Sequence, residues 1–341
     1  MVGAARVTAG SGVLPRPRRA RAGELLTGAI TLLGVALVAG CASVSDPSAG
    51  NGLPGGPAAT VGHGAIRVVA SVNVWGDVAR QIGGDRVSVT SIISDPNVDP
   101  HEYETSVGAA AALADAALVI LNGLGYDEFA SKLLAASPRP DRVVLTAADV
   151  ARPTSDNPHL WYYPSYVLAT ARAIEARLAG IDPAGAAAYV ANLRAFQSAY
   201  VSVSTVIAKI NAGYAGLAVA YTERVPGYLA QAAGLRLGVP ESFARAIEDG
   251  VDPSPRDEVA FRDALAKHTV AALLYNTQAA SPATAQLRQL AQRDGVPVVE
   301  VTETLPPSFS DIQSWQAAQA TALLTALGGP VSHHGGCPCD A

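Results

Sequence analysis

Two histidines in this chain directly follow prolines. His101 lies in Asp95-Pro96-Asn97-Val98-Asp99-Pro100-His101-Glu102-Tyr103-Glu104, and His159 in Asn157-Pro158-His159-Leu160-Trp161. Proline fixes its own φ and restricts the residue before it, so each imidazole is carried on a stiff loop. A neutral imidazole binds metal through one nitrogen while a neighbouring acceptor holds the other, which makes histidine the commonest side-chain ligand. Two carboxylates complete a candidate set: Glu223 in Tyr221-Thr222-Glu223-Arg224 and Glu303 in Val301-Thr302-Glu303-Thr304, each after an apolar run. Singly, a loop histidine or an end-of-strand glutamate can be merely solvated. Together they offer two nitrogens and at least two oxygens to a divalent transition metal. Bidentate carboxylates would suit Mn, whereas intrinsic affinity rises from Mn through Fe toward the later metals. One ion is expected, Mn ahead of Zn, with Fe a further candidate. Asp311 competes with Glu303 for the fourth place, although a carboxylate at a helix start has a structural reason of its own.

These side chains can meet only if the intervening elements bring distant loops together. From Ile66 onward, short β-branched runs at 66–72, 87–93, 117–122 and 142–146 alternate with helical patterns at 74–82, 106–114, 127–135 and 164–178. Such alternation predicts an α/β domain with a mostly parallel sheet. The rhythm restarts with strands at 217–222, 269–275 and 296–301 and helices at 226–233, 255–267, 282–293 and 312–327. Between the halves, 183–211 has no turn signal. Ala187, Val190, Ala191, Leu193, Phe196, Tyr200, Val203, Ile207 and Ile210 recur there mostly at three- and four-residue steps. This pattern predicts one helix of roughly 40 Å, long enough to run the height of two lobes. The expected architecture is two similar lobes with mostly parallel sheets joined by one long rigid helix, with the metal site in the interlobe cleft. Ligands of open α/β sheets bind at strand carboxyl ends, where His101, Glu223 and Glu303 fall, with His159 on a loop just before a helix.

The remaining segments read as 1–41 signal peptide with lipobox, 42–65 flexible tether, 66–182 first lobe, 183–212 linking helix, 213–328 second lobe and 329–341 tail. Arg6, Arg16, Arg18, Arg19 and Arg21 form a positive region before the apolar stretch 25–39, which is short for a membrane span. Val38-Ala39-Gly40-Cys41 then resembles a bacterial lipobox, whose cysteine is lipidated after cleavage. Glycine, proline and serine dominate the tether. Only Cys337 and Cys339 accompany Cys41, so no disulfide framework supports the fold. With His333 and His334 they make a tail that could recruit a soft metal, oxidise or stay unstructured. The net charge of −5 gives no reason to expect nucleic acid as a partner.

On its two histidine motifs, on Thr222-Glu223 with Gly227-Tyr228-Leu229, on Pro253-Ser254-Pro255 and on the interlobe helix, the chain resembles a known family. That family is the solute-binding proteins of zinc- and manganese-specific ABC importers, also called metal-binding lipoproteins. The resemblance runs from about Ile66 to Leu327. It implies that one ion sits between the lobes on His101, His159, Glu223 and Glu303, for delivery to a permease by a monomer lipid-anchored to the outer face of the cell membrane. Two positions bear on the metal: the third ligand is Glu, as in manganese-type members, and the fourth is Glu where Asp is usual. A metal-dependent hydrolase would instead need an open coordination position and a nearby base. Neither a His-Glu-x-x-His motif nor a nucleophile elbow occurs. An adhesin would need a large exposed apolar or aromatic patch, of which 6% aromatic residues give no sign. Replacing the lipobox cysteine, Cys41→Ala, should move the protein from the membrane to the soluble extracytoplasmic fraction on cell fractionation. Retention in the membrane would count against the anchor.

Overall fold

The computed structural model describes residues 64–96, 100–103 and 105–328. Cys41 and the tail residues His333, His334, Cys337 and Cys339 lie outside them. The first lobe runs β1 (Ile66–Val72), α1 (Asn73–Gly83), β2 (Val87–Ile93), α2 (Val107–Asp115), β3 (Leu118–Leu121), α3 (Glu128–Ala136), β4 (Val143–Thr146), α4 (Ala147–Ala151) and α5 (Pro164–Ile181). Its four strands are parallel in the order β2-β1-β3-β4. After α6 (Ala186–Tyr214) come β5 (Ala218–Tyr221), α7 (Gly227–Ala232), β6 (Arg236–Leu237), α8 (Glu241–Glu248), α9 (Pro255–Ala266), β7 (Leu273–Asn276), α10 (Pro282–Arg293), β8 (Val298–Val301) and α11 (Ile312–Ala326). This second sheet repeats the first in form, parallel in the order β6-β5-β7-β8. Strand order reverses beside β1 in one lobe and β5 in the other, and such switch points open a crevice at the carboxyl edge.

Parallel strands covered on both faces read as continuous apolar runs, and β3, β5 and β7 are buried at every position. Gly76 lets α1 lie close on β2, since a Cβ there would collide with Ser91 Oγ. The 29 residues of α6 reach about 43 Å at the usual helical rise. Its inward stripe is Tyr189, Phe196, Tyr200, Val203, Ile207 and Ile210. The stripe differs from expectation at its start, where Ala187, Val190 and Ala191 face solvent and Tyr189 turns inward. Residues 183–185 form a separate 3-10 turn before the α-helix. One apolar cluster takes in this stripe together with Val68, Trp75 and Ile120 of the first lobe and Val219, Leu274 and Trp315 of the second. Among the described residues no helix is long and apolar enough to cross a membrane.

Polar bonds also cross between lobes along α1. Asn73 donates through Nδ2 to the Leu305 carbonyl at 2.8 Å and accepts from Leu305 N–H at 2.9 Å. One turn on, Asp77 accepts from the Ile312 N–H at 3.0 Å, the Gln81 amide at 2.6 Å and Arg80 at 2.8 Å. A further turn brings Gln81 and Gln313 into a reciprocal amide pair at 2.9 and 2.8 Å. These bonds fasten the segment between β8 and α11 to the first lobe. Burial raises the Asp77 carboxyl above its ordinary range even against those donors, so it sits where losing it strands them. Asp77→Ala should cost about 1–3 kcal/mol, read as a lower midpoint in chemical denaturation, because a buried backbone N–H loses its acceptor.

Candidate metal centre

Four loops converge at one place, three of them beyond strand carboxyl ends and the fourth between α4 and α5. His101 sits on the 3-10 turn Pro100–Glu102 beyond β2, and His159 precedes the 3-10 turn Leu160–Tyr162 before α5. Glu223 follows β5 by two residues and Glu303 follows β8 by two. One donor atom from each of the four lies within 4.8 Å of the others. His101 Nε2 is 3.5 Å from both Glu223 Oε1 and Glu303 Oε2, and His159 Nε2 is 3.3 Å from Glu303 Oε2. Donors at about 2.0–2.2 Å from a tetrahedral ion stand about 3.3–3.6 Å apart. Three of the six spacings therefore already match that cage. Asp311, the competing candidate, caps α11 by accepting from Ser314 N–H at 2.7 Å and is outside the cluster.

His159, Glu223 and Glu303 are fully buried, while the His101 side chain keeps 17% of its surface exposed. Tyr126 and Trp161 wall the imidazoles, with Tyr126 edge-on to His101 at 5.3 Å and Trp161 edge-on to His159 at 5.6 Å. The His159 tautomer follows from Asn157. That amide donates through Nδ2 to the Arg224 carbonyl at 2.8 Å, so its Oδ1 faces His159 and accepts from both N–H and Nδ1–H, at 3.0 and 2.8 Å. With Nδ1–H held by Asn157, Nε2 is the nitrogen that faces the carboxylates, donating to Glu303 when the ring is protonated and offering a lone pair when it is neutral. Asn157 thereby joins the His159 loop of one lobe to the Glu223 loop of the other. Alongside it, Arg224 holds Glu248 through two bonds of 2.8 and 2.6 Å and reaches Asp156 at 2.9 Å. The Asp156 carboxyl, bonded also by Arg245, is pulled down to about 2.

The two carboxylates share Asn276, the last residue of β7. Glu303 is also held through its backbone: Gln278 Oε1 accepts from the N–H groups of Glu303 and Thr304 at 2.6 and 3.0 Å. From the first lobe, Tyr162 donates to the Thr302 carbonyl at 2.6 Å. Burial alone would raise the Glu303 carboxyl. The His159 hydrogen bond and charge, the His101 charge and the Asn276 amide outweigh it, and the net direction is down. Sequence reasoning named the four residues that cluster here but assigned no role to Asn157, Asn276, Gln278 or Tyr126. The one local signal available was a polar residue closing the apolar run Leu273-Leu274-Tyr275-Asn276.

A family model described as zinc-uptake complex component A, periplasmic, matches residues 68–326. The manganese-binding lipoprotein MntA of Halalkalibacterium halodurans is 33% identical over 135 residues, 38% of this chain and 45% of that protein. The iron-binding protein YfeA of Yersinia pestis is 28% identical over 138 residues, 38% of this chain and 44% of that protein. The chain thus spans less than half the length of these relatives. Among solved structures, the periplasmic zinc binding protein TroA from Treponema pallidum shares the fold with TM-score 0.65 at 18% identity, covering 77% of this chain and 99% of that one. FpvC from Pseudomonas aeruginosa, solved in complex with Mn2+, shares it with TM-score 0.64 at 22% identity, covering 77% and 98%.

A depressed folded-state carboxyl stabilises the fold above its ordinary value of 4.5 and loses that contribution as pH falls through the lower folded value. In metal-free protein, Glu303→Gln should therefore flatten the acid side of a plot of denaturation midpoint against pH below about 4.5. An acid limb as steep as in the wild type would mean that Glu303 is not held ionised.

Proposed function

Because this chain belongs to the zinc-uptake complex component A family, matched over residues 68–326, we propose that it is an extracytoplasmic solute-binding protein that captures one divalent transition-metal ion. Mn and Zn are the leading cargoes, with Fe a further one, and the recipient is the permease of an ABC importer. The observation that carries this reading is the convergence of His101, His159, Glu223 and Glu303 to within 4.8 Å from four separate loops. Two imidazoles come from the first lobe and two carboxylates from the second, and three of the four are closed off from water. A set of four protein donors with no vacancy kept for an activated water suits carriage of an ion better than hydrolysis.

The named relatives support a metal cargo without agreeing on the metal, one being manganese-binding and another iron-binding. The lipobox at Cys41 supports a lipid anchor on the outer face of the membrane, and MntA is itself named a lipoprotein. Residues 66–182 and 213–328 are the proposed lobes, with 183–212 as the link between them.

Purified protein should bind about one Mn or Zn per chain in calorimetric titration, and His101→Ala or His159→Ala should weaken that binding by about 100-fold or more. Unchanged stoichiometry and affinity in the double variant would falsify the site. Asp311→Asn should leave affinity as it is, and Glu303→Gln should reduce it.

A further inference from the structure

Asn276 lies wholly inside the protein, 1% exposed, between the two carboxylates. Its Nδ2 donates to Glu223 Oε2 at 2.5 Å and to Glu303 Oε1 at 2.8 Å. The amide cannot be turned around, because its Oδ1 accepts from the Gln278 N–H at 3.0 Å, and a backbone N–H only donates. Its own N–H is fixed to Thr222 Oγ1 at 3.1 Å. An amide nitrogen has two protons, and each carboxylate takes one. The other two oxygens, Glu223 Oε1 and Glu303 Oε2, are the ones 3.5 Å from His101 Nε2. Asn276 therefore bonds one oxygen of each carboxylate, while the other oxygen faces the imidazoles, that of Glu303 also accepting from the Tyr126 hydroxyl at 3.4 Å.

We infer that Asn276 is a specificity-determining residue: by engaging one oxygen of each glutamate it confines the centre to four donors and selects an ion content with a tetrahedral set, Zn, against one that seeks more oxygens, Mn. This inference rests on the four residues acting as ligands, as proposed above. Tetrahedral coordination by nitrogen and oxygen is the habit of zinc, whereas Mn favours oxygen-rich sites approaching six donors. To draw further donors from the two glutamates, the ion would have to share Glu223 Oε2 or Glu303 Oε1 with the Asn276 amide, competing with that bond for the oxygen's electron density and weakening it. The order of metals suggested by two glutamates in the sequence is thereby reversed.

Zn outbinds Mn at most nitrogen and oxygen sites, so the informative quantity is the change in the ratio of their dissociation constants. Competition titrations of the full-length protein with zinc and manganese salts should show that ratio, Mn over Zn, falling by about tenfold or more in Asn276→Ala, within the range expected for a group that orients ligands. An unchanged or rising ratio overturns the inference. A measurement independent of any variant is X-ray absorption on the Zn-loaded wild type, which should show four nitrogen or oxygen neighbours at about 2.0–2.2 Å. Five or more neighbours would overturn it as well. If His159→Ala abolishes binding while Asn276→Ala leaves the ratio as it was, this inference alone fails. If the wild type binds neither ion, the proposed function fails with it.

Discussion

Glu223 and Glu303 are both removed from water and share the protons of a single amide. Taking one carboxylate into the interior costs several kcal/mol even after relaxation, and a second beside it adds repulsion. The Asn276 amide supplies partial positive charge but no whole charge. From across the lobe boundary two imidazoles face the pair at 3.3 to 3.5 Å. An acidic half built on β5 and β8 is thus matched to a basic half built on the loops after β2 and β4. Neither half is electrostatically complete alone. A dication placed among the four residues, as proposed, would balance the two carboxylates and take the lone pairs of neutral imidazoles.

Holding two such halves in register falls to groups outside the donor set. The α1 ladder of Asn73, Asp77 and Gln81 fastens the segment that follows Glu303. Asn157 ties the backbone beside Glu223 to the ring of His159. Gln278 grips the Glu303 loop from beneath. Each of these contacts is a neutral or partly charged hydrogen bond of modest individual worth. Their joint effect is that the donor atoms cannot drift apart without several buried bonds breaking together.

Much of this architecture was legible in the sequence. The runs at 66–72 and 87–93 coincide with β1 and β2 to the residue, because both are rich in β-branched residues and end at polar turns, β1 being buried over its last five positions and β2 alternating at the sheet edge. Less visible were β6, a strand of two residues, and α4, a single helical turn, since neither is long enough to show a period. The eight residues of α8 carry a strong apolar face but sit close after Pro240, in a stretch without a clear boundary. The donors were readable because proline before histidine, and glutamate after an apolar run, are local signals. Asn276 was not, because its partners are 53 and 27 residues away, and hydrogen bonds at such separations impose no spacing on the chain.

The long helix has a mechanical corollary. Its stripe from Tyr189 to Ile210 belongs to the same apolar cluster as side chains of both lobes. Prying the lobes apart would wet that stripe, at about 1.5–3 kcal/mol for each large side chain re-exposed. A wide jaw-like swing of the lobes is therefore disfavoured, and the exposed edge of the cluster lies elsewhere. His101, the one member of the set with surface in contact with water, hangs there on a single short turn. Of the four clustered side chains, that turn alone carries one that meets solvent.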